Sequence, residues 1–260
     1  MRVSVIITTY NWVNALEAVL KSLLSQTVLP YEVIIADDGS GHETRELIEK
    51  YQQQYPIPLH HSWQPDKGFR AAESRNKAVA QSTGEYIIIV DGDIYLPATF
   101  IEDHIFVAKP GCFVQAGRVS LGPALSEHLM LTGLPPKIWQ QGMKNRKNML
   151  RCKRLSKVFS RVWNSDTSTR SCNMAFWKRD ILAVNGFNND FVGWGREDSE
   201  LVVRLLNHGI QRLYVKFLAA GYHLYHVEHT RESLEANQQI FIQTKASGAT
   251  RCSNGLDKFL

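Results

Sequence analysis

The sequence predicts an α/β fold: a mostly parallel, Rossmann-like sheet with helices on both faces, followed by a less regular second half. Three features carry this expectation. Short apolar, β-branched runs alternate with helix-period segments through residues 1–97, each run ends in a polar cluster, and 260 residues at 44% hydrophobic suffice for a complete core.

Strands are expected at 2–8, 32–36, 59–63 and 86–90, where β-branched residues cluster between turn formers. Between them, Val13, Leu16, Val19, Leu20, Leu23 and Leu24 recur at helical spacing, 42–54 makes a second helix and 68–81 a third. Ligands of such sheets bind beyond the carboxyl ends of the strands. Those ends carry Thr8-Thr9-Tyr10-Asn11, Asp37-Asp38-Gly39-Ser40 and Asp91-Gly92-Asp93, so three polar clusters converge on one rim. After Pro97 the pattern loosens, with Gly-Pro at 122–123 and Pro-Pro at 135–136. Order returns with a strand-like 173–176, helices at 179–184 and from 197 to 207, a strand at 212–217, and a helix over 232–244. The polar tail 246–260 is expected to be loosely ordered. One domain is read in two halves: a nucleotide-binding half at 1–97 and an acceptor-side half at 98–245.

The net charge of +5 is local, because nine Lys or Arg and no acid lie between 128 and 165. The remainder of the chain is net acidic. Within 137–161, Met149, Leu150, Leu155, Val158 and Phe159 interleave with the cations, with Trp163 just beyond, a composition suited to an anionic membrane face. A site for an anionic acceptor and a solvated surface loop are the other readings. No finger, RNP-like or helix-turn-helix signature supports nucleic acid as partner. No apolar run approaches the roughly 18–20 residues of a membrane span, and the first residues enter a strand without a charged leader. A cytoplasmic protein, peripheral on the inner face of the inner membrane, is the corresponding expectation. Cys112, Cys152, Cys172 and Cys252 show no paired spacing, so reduced thiols are expected.

Asp91-Gly92-Asp93 places two acids one residue apart where a buried strand meets solvent. A hard divalent ion takes such oxygen ligands and retains waters and donor phosphates, and Gly92 would let phosphates approach the backbone; a bare Asp-Gly-Asp is also an ordinary turn. Glu197-Asp198 follows a glycine-aromatic-glycine turn and opens an amphipathic helix. Acids there suit helix capping as well as catalysis, and the helix start should keep Asp198 ionised at neutral pH, though weak as a base. His223, His226 and His229 fall three apart, on one face of a helix but alternating faces of a strand, so at most one or two aim at a metal. Asn173 is a candidate donor to a sugar hydroxyl or a turn residue. Trp12, Trp63, Trp139 and Trp177 are read as packing or rim residues.

The opening 3–11, Ser25-Gln26-Thr27, 32–40, the stretch from Gly68 through Arg75-Asn76, and Gly84-Glu85-Tyr86 into Asp91-Gly92-Asp93 together resemble the GT-A family 2 glycosyltransferases. The later Asn185-Gly186-Phe187 through Trp194-Gly195-Arg196-Glu197-Asp198 resembles the C-terminal motif shared by β4-galactosyltransferases, polypeptide N-acetylgalactosaminyltransferases and chondroitin-polymerase-type enzymes. The resemblance implies a UDP-sugar donor, with Thr8, Tyr10 and Asp38 holding the uridine, and Asp66 and Arg75 bordering the nucleotide. It implies Asp91 and Gly92 at the diphosphate, and Mn2+ or Mg2+ on Asp93 with Asp91 close by. The matching histidine position is His226, with His223 in reserve. Asp198 is then the general base, Glu197 orients a sugar and Trp194 is a sugar platform. The familiar Gly-Gly-Glu-Asp reads Gly195-Arg196-Glu197-Asp198 here, so Arg196 is expected to reshape the acceptor pocket or pair with a phosphate.

The implied activity is inverting, metal-dependent transfer of a hexose or N-acetylhexosamine to a hydroxyl of a glycan or lipid-linked saccharide, in bacterial lipopolysaccharide or capsule synthesis. Two other classes compete. A nucleotidyltransferase would want a glycine-rich N-terminal phosphate loop that is absent. A non-catalytic carbohydrate- or membrane-binding module has no use for two carboxylate clusters.

Overall fold

The computed structural model describes residues 1–227 and 233–260. Its first half is a parallel array of β1 (Val3–Thr9), β2 (Glu32–Asp37), β3 (Leu59–Trp63) and β4 (Tyr86–Asp91), connected by α1 (Val13–Leu24), α2 (His42–Gln52) and α3 (Ala71–Gln81). β5 (Ile94–Tyr95), α4 (Phe100–Val107), β6 (Cys112–Gln115), β7 (Arg118–Leu121), α5 (Pro123–Thr132) and β8 (Met143–Lys144) follow. Then come α6 (Lys153–Phe159), β9 (Arg161–Val162), β10 (Asn173–Trp177), α7 (Lys178–Ala183), α8 (Glu197–Asn207), β11 (Gln211–Tyr214), β12 (Gly221–His223) and α9 (Leu234–Ser247). The large sheet runs β3-β2-β1-β4-β10-β6-β11-β9, with β10 antiparallel to both β4 and β6. A small sheet, β5-β12-β7-β8, stands beside it.

The strand alternation explains the two-sided core. Val5, Ile7, Val33, Ile35, Ile88 and Val90 pack on one face with Leu16 and Leu20 of α1, Ile48 of α2 and Phe100 of α4. Ile6, Ile34, Ile87 and Ile89 face the other way, onto Val79 of α3 and Leu201, Val202 and Leu205 of α8. Strands apolar on both faces require helices on both faces, as the sequence indicated. The third helix starts at Ala71 rather than 68, because Gly68 takes a left-handed backbone (φ +81°) in the loop before it. The strand expected at 212–217 is displaced to Gln211–Tyr214 by its pairing with β6.

Two expectations are corrected. The tail is docked: Leu256 is fully buried among the α3 and α8 side chains, its N–H donates to the Asn185 carbonyl (2.9 Å), and Asn185 Nδ2 donates to the Cys252 carbonyl (2.9 Å). Its polar composition conceals one apolar anchor held by backbone hydrogen bonds. Nor is the basic segment simply an unattached loop. Arg151 chelates Asp103 of α4 at 2.8–3.1 Å, Lys153 pairs with Glu102, and Met149 packs against the core below the small sheet. No helix among the described residues is long and apolar enough to cross a membrane.

If the tail is integral, Leu256→Ala should cost about 2–5 kcal/mol in urea unfolding, the usual range for truncating a fully buried leucine. A change below about 0.5 kcal/mol, typical of surface positions, would return the tail to the loose state expected from composition.

Candidate active site

The ends of β1 and β4 and the start of α8 meet at one buried cation. Arg75 of α3 donates through Nη2 to Asp91 Oδ1 (3.0 Å), through Nη1 to Glu197 Oε1 (3.3 Å) and through Nε to Thr8 Oγ1 (3.1 Å), and its guanidinium lies 5.3 Å from the Phe187 ring centroid. The two carboxylate clusters, distant in sequence, therefore share one guanidinium. Burial disfavours the charge on Arg75, but Asp91, Glu197 and Asp198 outweigh it and raise its pKa. Arg75, implied by the resemblance to border the nucleotide, thus ties the ends of β1 and β4 to the start of α8.

On the β1–β3 side, the half-exposed Tyr10 donates its hydroxyl to Asp66 Oδ2 (2.8 Å), and Asp66 Oδ1 accepts the Gly68 N–H (3.0 Å). Asp38 is buried, accepting from the Arg70 N–H and from Gln64 Nε2, both at 2.6 Å, and burial pushes its pKa up. Gly39, at φ +98°, leaves no room for a side chain, since a Cβ would sit 2.5 Å from Asp66 Cα. The loops after β2 and β3 are thus locked together with Tyr10 across them. Gly92 serves the protein's own backbone: its N–H donates to the Thr8 carbonyl (2.7 Å), and a Cβ would lie 2.8 Å from that oxygen.

Beyond β4, Asp93 Oδ2 lies 3.4 Å from His223 Nε2 and 3.3 Å from His226 Nε2. β12 ends at His223, so strand alternation does not separate the two rings, and both reach the same carboxylate. Among the described residues this is the one group of three or more metal-ligating side chains whose ligand atoms lie within 4.8 Å of one another. Asp91 spends an oxygen on Arg75 instead of joining it. His229, the last of the three evenly spaced histidines, lies outside the described residues.

The group fits a divalent cation. Asp93 Oδ1 is buried without a hydrogen-bond partner, and burial beside Asp91 raises the Asp93 pKa to about 8. Burial, with Arg118, His226 and Arg170 nearby, lowers His223 to about 3, leaving it neutral with a lone pair to give. A carboxylate with two imidazoles suits Mn2+ better than the all-oxygen preference of Mg2+. Trp12, read only as packing or rim, stands edge-on to His226 at 5.9 Å. Its position directly after the first rim cluster was the available signal.

Asp198 Oδ1 accepts the Ser199 N–H (2.6 Å) and Oδ2 the Ser171 N–H (3.3 Å). Burial and the neighbouring Glu197 nevertheless raise its pKa to about 7, correcting the expectation of a weak, fully ionised base: desolvation outweighs the helix start. Neither acid is the cap. That residue is Arg196, in a left-handed conformation (φ +75°) and without a side-chain capping bond. Its guanidinium lies over the Phe241 ring of α9 (5.3 Å) and so ties the turn to α9. Trp194 stands partly exposed between Gly193 and Gly195, both at positive φ. Asn173 is spent structurally: Nδ2 donates to the Gly117 and Ala219 carbonyls (3.0 and 2.8 Å), and Oδ1 meets His104 Nε2 (3.0 Å), which leaves no donor for a sugar.

Because Arg75 neutralises the wall-to-wall contact, Arg75→Met should destabilise the protein by about 3–5 kcal/mol, the cost of stripping the cation from buried carboxylates. Unfolding in urea at neutral pH measures it, and an unchanged midpoint would show that the pairing is not structural.

Comparison with known proteins identifies the family and the fold. Residues 4–183 match the model of Glycosyl transferase family 2, and residues 153–230 that of the N-terminal domain of galactosyltransferase. Validoxylamine A glucosyltransferase of Streptomyces hygroscopicus subsp. limoneus is 27% identical over 230 residues, covering 80% of this chain and 48% of that protein. Chondroitin synthase of Escherichia coli is 24% identical over 233 residues, covering 79% of this chain and 32% of its own length. The chain therefore spans about half or less of these relatives. A solved mannosyltransferase, PcManGT from Pyrobaculum calidifontis in complex with GDP-Man and Mn2+, shares the fold at TM-score 0.62 and 18% identity, covering 98% of this chain and 65% of that one. With a GT-A sheet, and with a family model that matches from β1 through α7, this chain belongs to glycosyl transferase family 2.

Proposed function

We propose an inverting, divalent-metal-dependent transferase that moves a hexose or N-acetylhexosamine from a UDP-sugar to a hydroxyl of a glycan or lipid-linked saccharide. The observation that carries this reading is the Arg75 node, where one guanidinium binds both Asp91, two residues before Asp93, and Glu197, next to Asp198. In it, residues 1–97 hold the nucleotide: Tyr10 stacks on uracil, Thr8 and Asp38 border the uridine, and Asp66 orients Tyr10. Asp93, His223 and His226 would hold Mn2+, whose Lewis acidity offsets the charge that develops on the departing diphosphate. The presence of GDP-Man and Mn2+ in PcManGT supports a nucleotide-sugar and metal pairing on this fold.

The acceptor-side half does the proton work. As the acceptor oxygen attacks the anomeric carbon, its proton passes to a carboxylate oxygen of Asp198. The carbon–oxygen bond to UDP breaks with its electron pair on the diphosphate, inverting the configuration. A base with pKa near 7 suits proton abstraction at neutral pH. Glu197, held by Arg75, is placed to orient a sugar, and Trp194 to offer it a flat apolar face.

Bacterial lipopolysaccharide or capsule synthesis at the cytoplasmic face of the inner membrane is the setting this reading favours, supported by the chondroitin synthase relationship and by one surface. Leu131 (79% exposed), Trp139 (71%) and Val158 (74%) project from the region that carries Lys137, Lys147, Arg154 and Lys157. Apolar side chains among cations suit an anionic bilayer.

UDP should appear from UDP-galactose, UDP-glucose or UDP-N-acetylgalactosamine in the presence of Mn2+ and cease with chelator, while pyrophosphate release from a nucleoside triphosphate would favour the nucleotidyltransferase. Turnover should rise as pH passes through about 7, because only ionised Asp198 accepts a proton, and Asp198→Asn should lose at least about a hundredfold. The stability sign is opposite: a folded pKa raised above 3.8 means stability present at low pH is lost as pH rises through about 7, so the Asn variant should be the more stable at pH 8. The protein should sediment with phosphatidylglycerol vesicles but not phosphatidylcholine ones, and Trp139→Ser with Val158→Ser should weaken this; equal binding to both would remove the membrane assignment.

A further inference from the structure

Arg118 has no role in the chemistry above, yet it stands within it. In the parallel pairing of β7 with β12, Arg118 is registered with Gly221 and Ser120 with His223, so Arg118, Ser120 and His223 share one face of the small sheet. Val119 and Tyr222, on the opposite face, pack into the core. Arg118 Nη1 donates to Cys172 Sγ (3.4 Å), and burial keeps that thiol protonated, with its pKa pushed up to about 12. Nε is buried with no hydrogen-bond partner, and among the described residues Arg118 forms no ion pair with a carboxylate. Arg170, exposed on the loop before β10, likewise forms none there, and its charge also bears on His223.

A partly buried guanidinium resting on a neutral thiol is under-satisfied. Its place in the cleft says what would satisfy it. The nucleotide side is built from the ends of β1, β2 and β3. Asp93 follows β4, and Arg118 lies beyond Asp93, touching Cys172, whose neighbour Ser171 hydrogen-bonds the base Asp198. We infer that Arg118 forms an anion subsite on the acceptor side of the Asp93–His223–His226 group, with Arg170 adding to the positive charge there, and takes a phosphate or carboxylate oxygen carried by the acceptor saccharide. The planar fork of Arg matches either anion in a bidentate manner. Once Asp93 is neutralised by a cation, the two arginines are left as net positive charge facing the acceptor. This rests on the transferase reading above and narrows its acceptor to an acidic sugar.

Inorganic phosphate is the probe. Calorimetric titration into the whole protein, both free and saturated with Mn2+ and UDP, should show saturable binding. That binding should weaken at least about tenfold in Arg118→Gln and by less in Arg118→Lys, which keeps the charge but loses the fork. UDP and Mn2+ affinities should stay within about twofold in both variants. Phosphate binding that is absent from the wild type, or unchanged in Arg118→Gln, overturns the subsite. A tenfold loss of UDP affinity assigns Arg118 to the donor diphosphate instead, and a matching loss of Mn2+ makes it a prop of the metal group; either overturns the acceptor assignment. Failure of the transferase reading would appear separately, as no UDP binding in the wild type while phosphate still responds to Arg118.

Discussion

The buried guanidinium of Arg75 is the constraint on which the cleft depends. Without a cation, the ends of β1 and β4 and the start of α8 would bring Thr8, Asp91 and Glu197 together in a poorly solvated space, and the carboxylates would repel. With it, each acid has a fixed partner, and the side chain adds to the β4–β10 pairing a direct tie between the first half of the sheet and α8. Phe187 beneath the guanidinium and Asn76 on the same helix extend the joint. Asn76 binds the Phe187 carbonyl and N–H at 2.7 and 2.8 Å, which carries the contact to the docked tail around Leu256. The geometry of the site is thus a property of the core rather than of surface loops.

The same electrostatic logic separates the acids by task. Asp91 and Glu197 are neutralised internally by Arg75 and are structural first. Asp93 and Asp198 are left undercompensated, with pKa values raised to about 8 and about 7 by burial and by the adjacent acid in each cluster. Folding around such groups costs stability, which is the usual signature of function in a packed protein. In the proposed reaction the first is relieved by a cation held with His223 and His226, the second by a proton from the acceptor hydroxyl.

The sheet was legible because both-faced apolar strands admit few alternatives, and the rim clusters were legible because strand ends are where polar residues interrupt such runs. Local pattern could not reveal partners contributed from far along the chain. Arg75 entered only through the family resemblance, because the two acids it binds come from β4 and α8. Asn173 looked like a sugar donor because Gly117, Ala219 and His104, which consume its amide, are distant in sequence. Arg118 carried no local signal, since only the β7–β12 register brings it beside His223.

The turn before α8 shows why burial, and not the helix terminus, governs Asp198. Gly193, Gly195 and Arg196 all take positive φ, so the chain doubles back sharply and drives the first helical turn inward. At Gly193 the fit is tight enough that a Cβ would meet Ser233 Oγ at 2.2 Å, and Arg196, in a conformation that favours glycine, is held by its contact with Phe241. A helix start at the surface would keep its acids solvated and their pKa low. Here the turn delivers Glu197 and Asp198 into the cleft together, where the desolvation of one and the charge of the other outweigh two backbone N–H donors. If Asp198 is the base proposed above, backbone strain at this turn is what brings an ordinary carboxylate into the range of neutral pH.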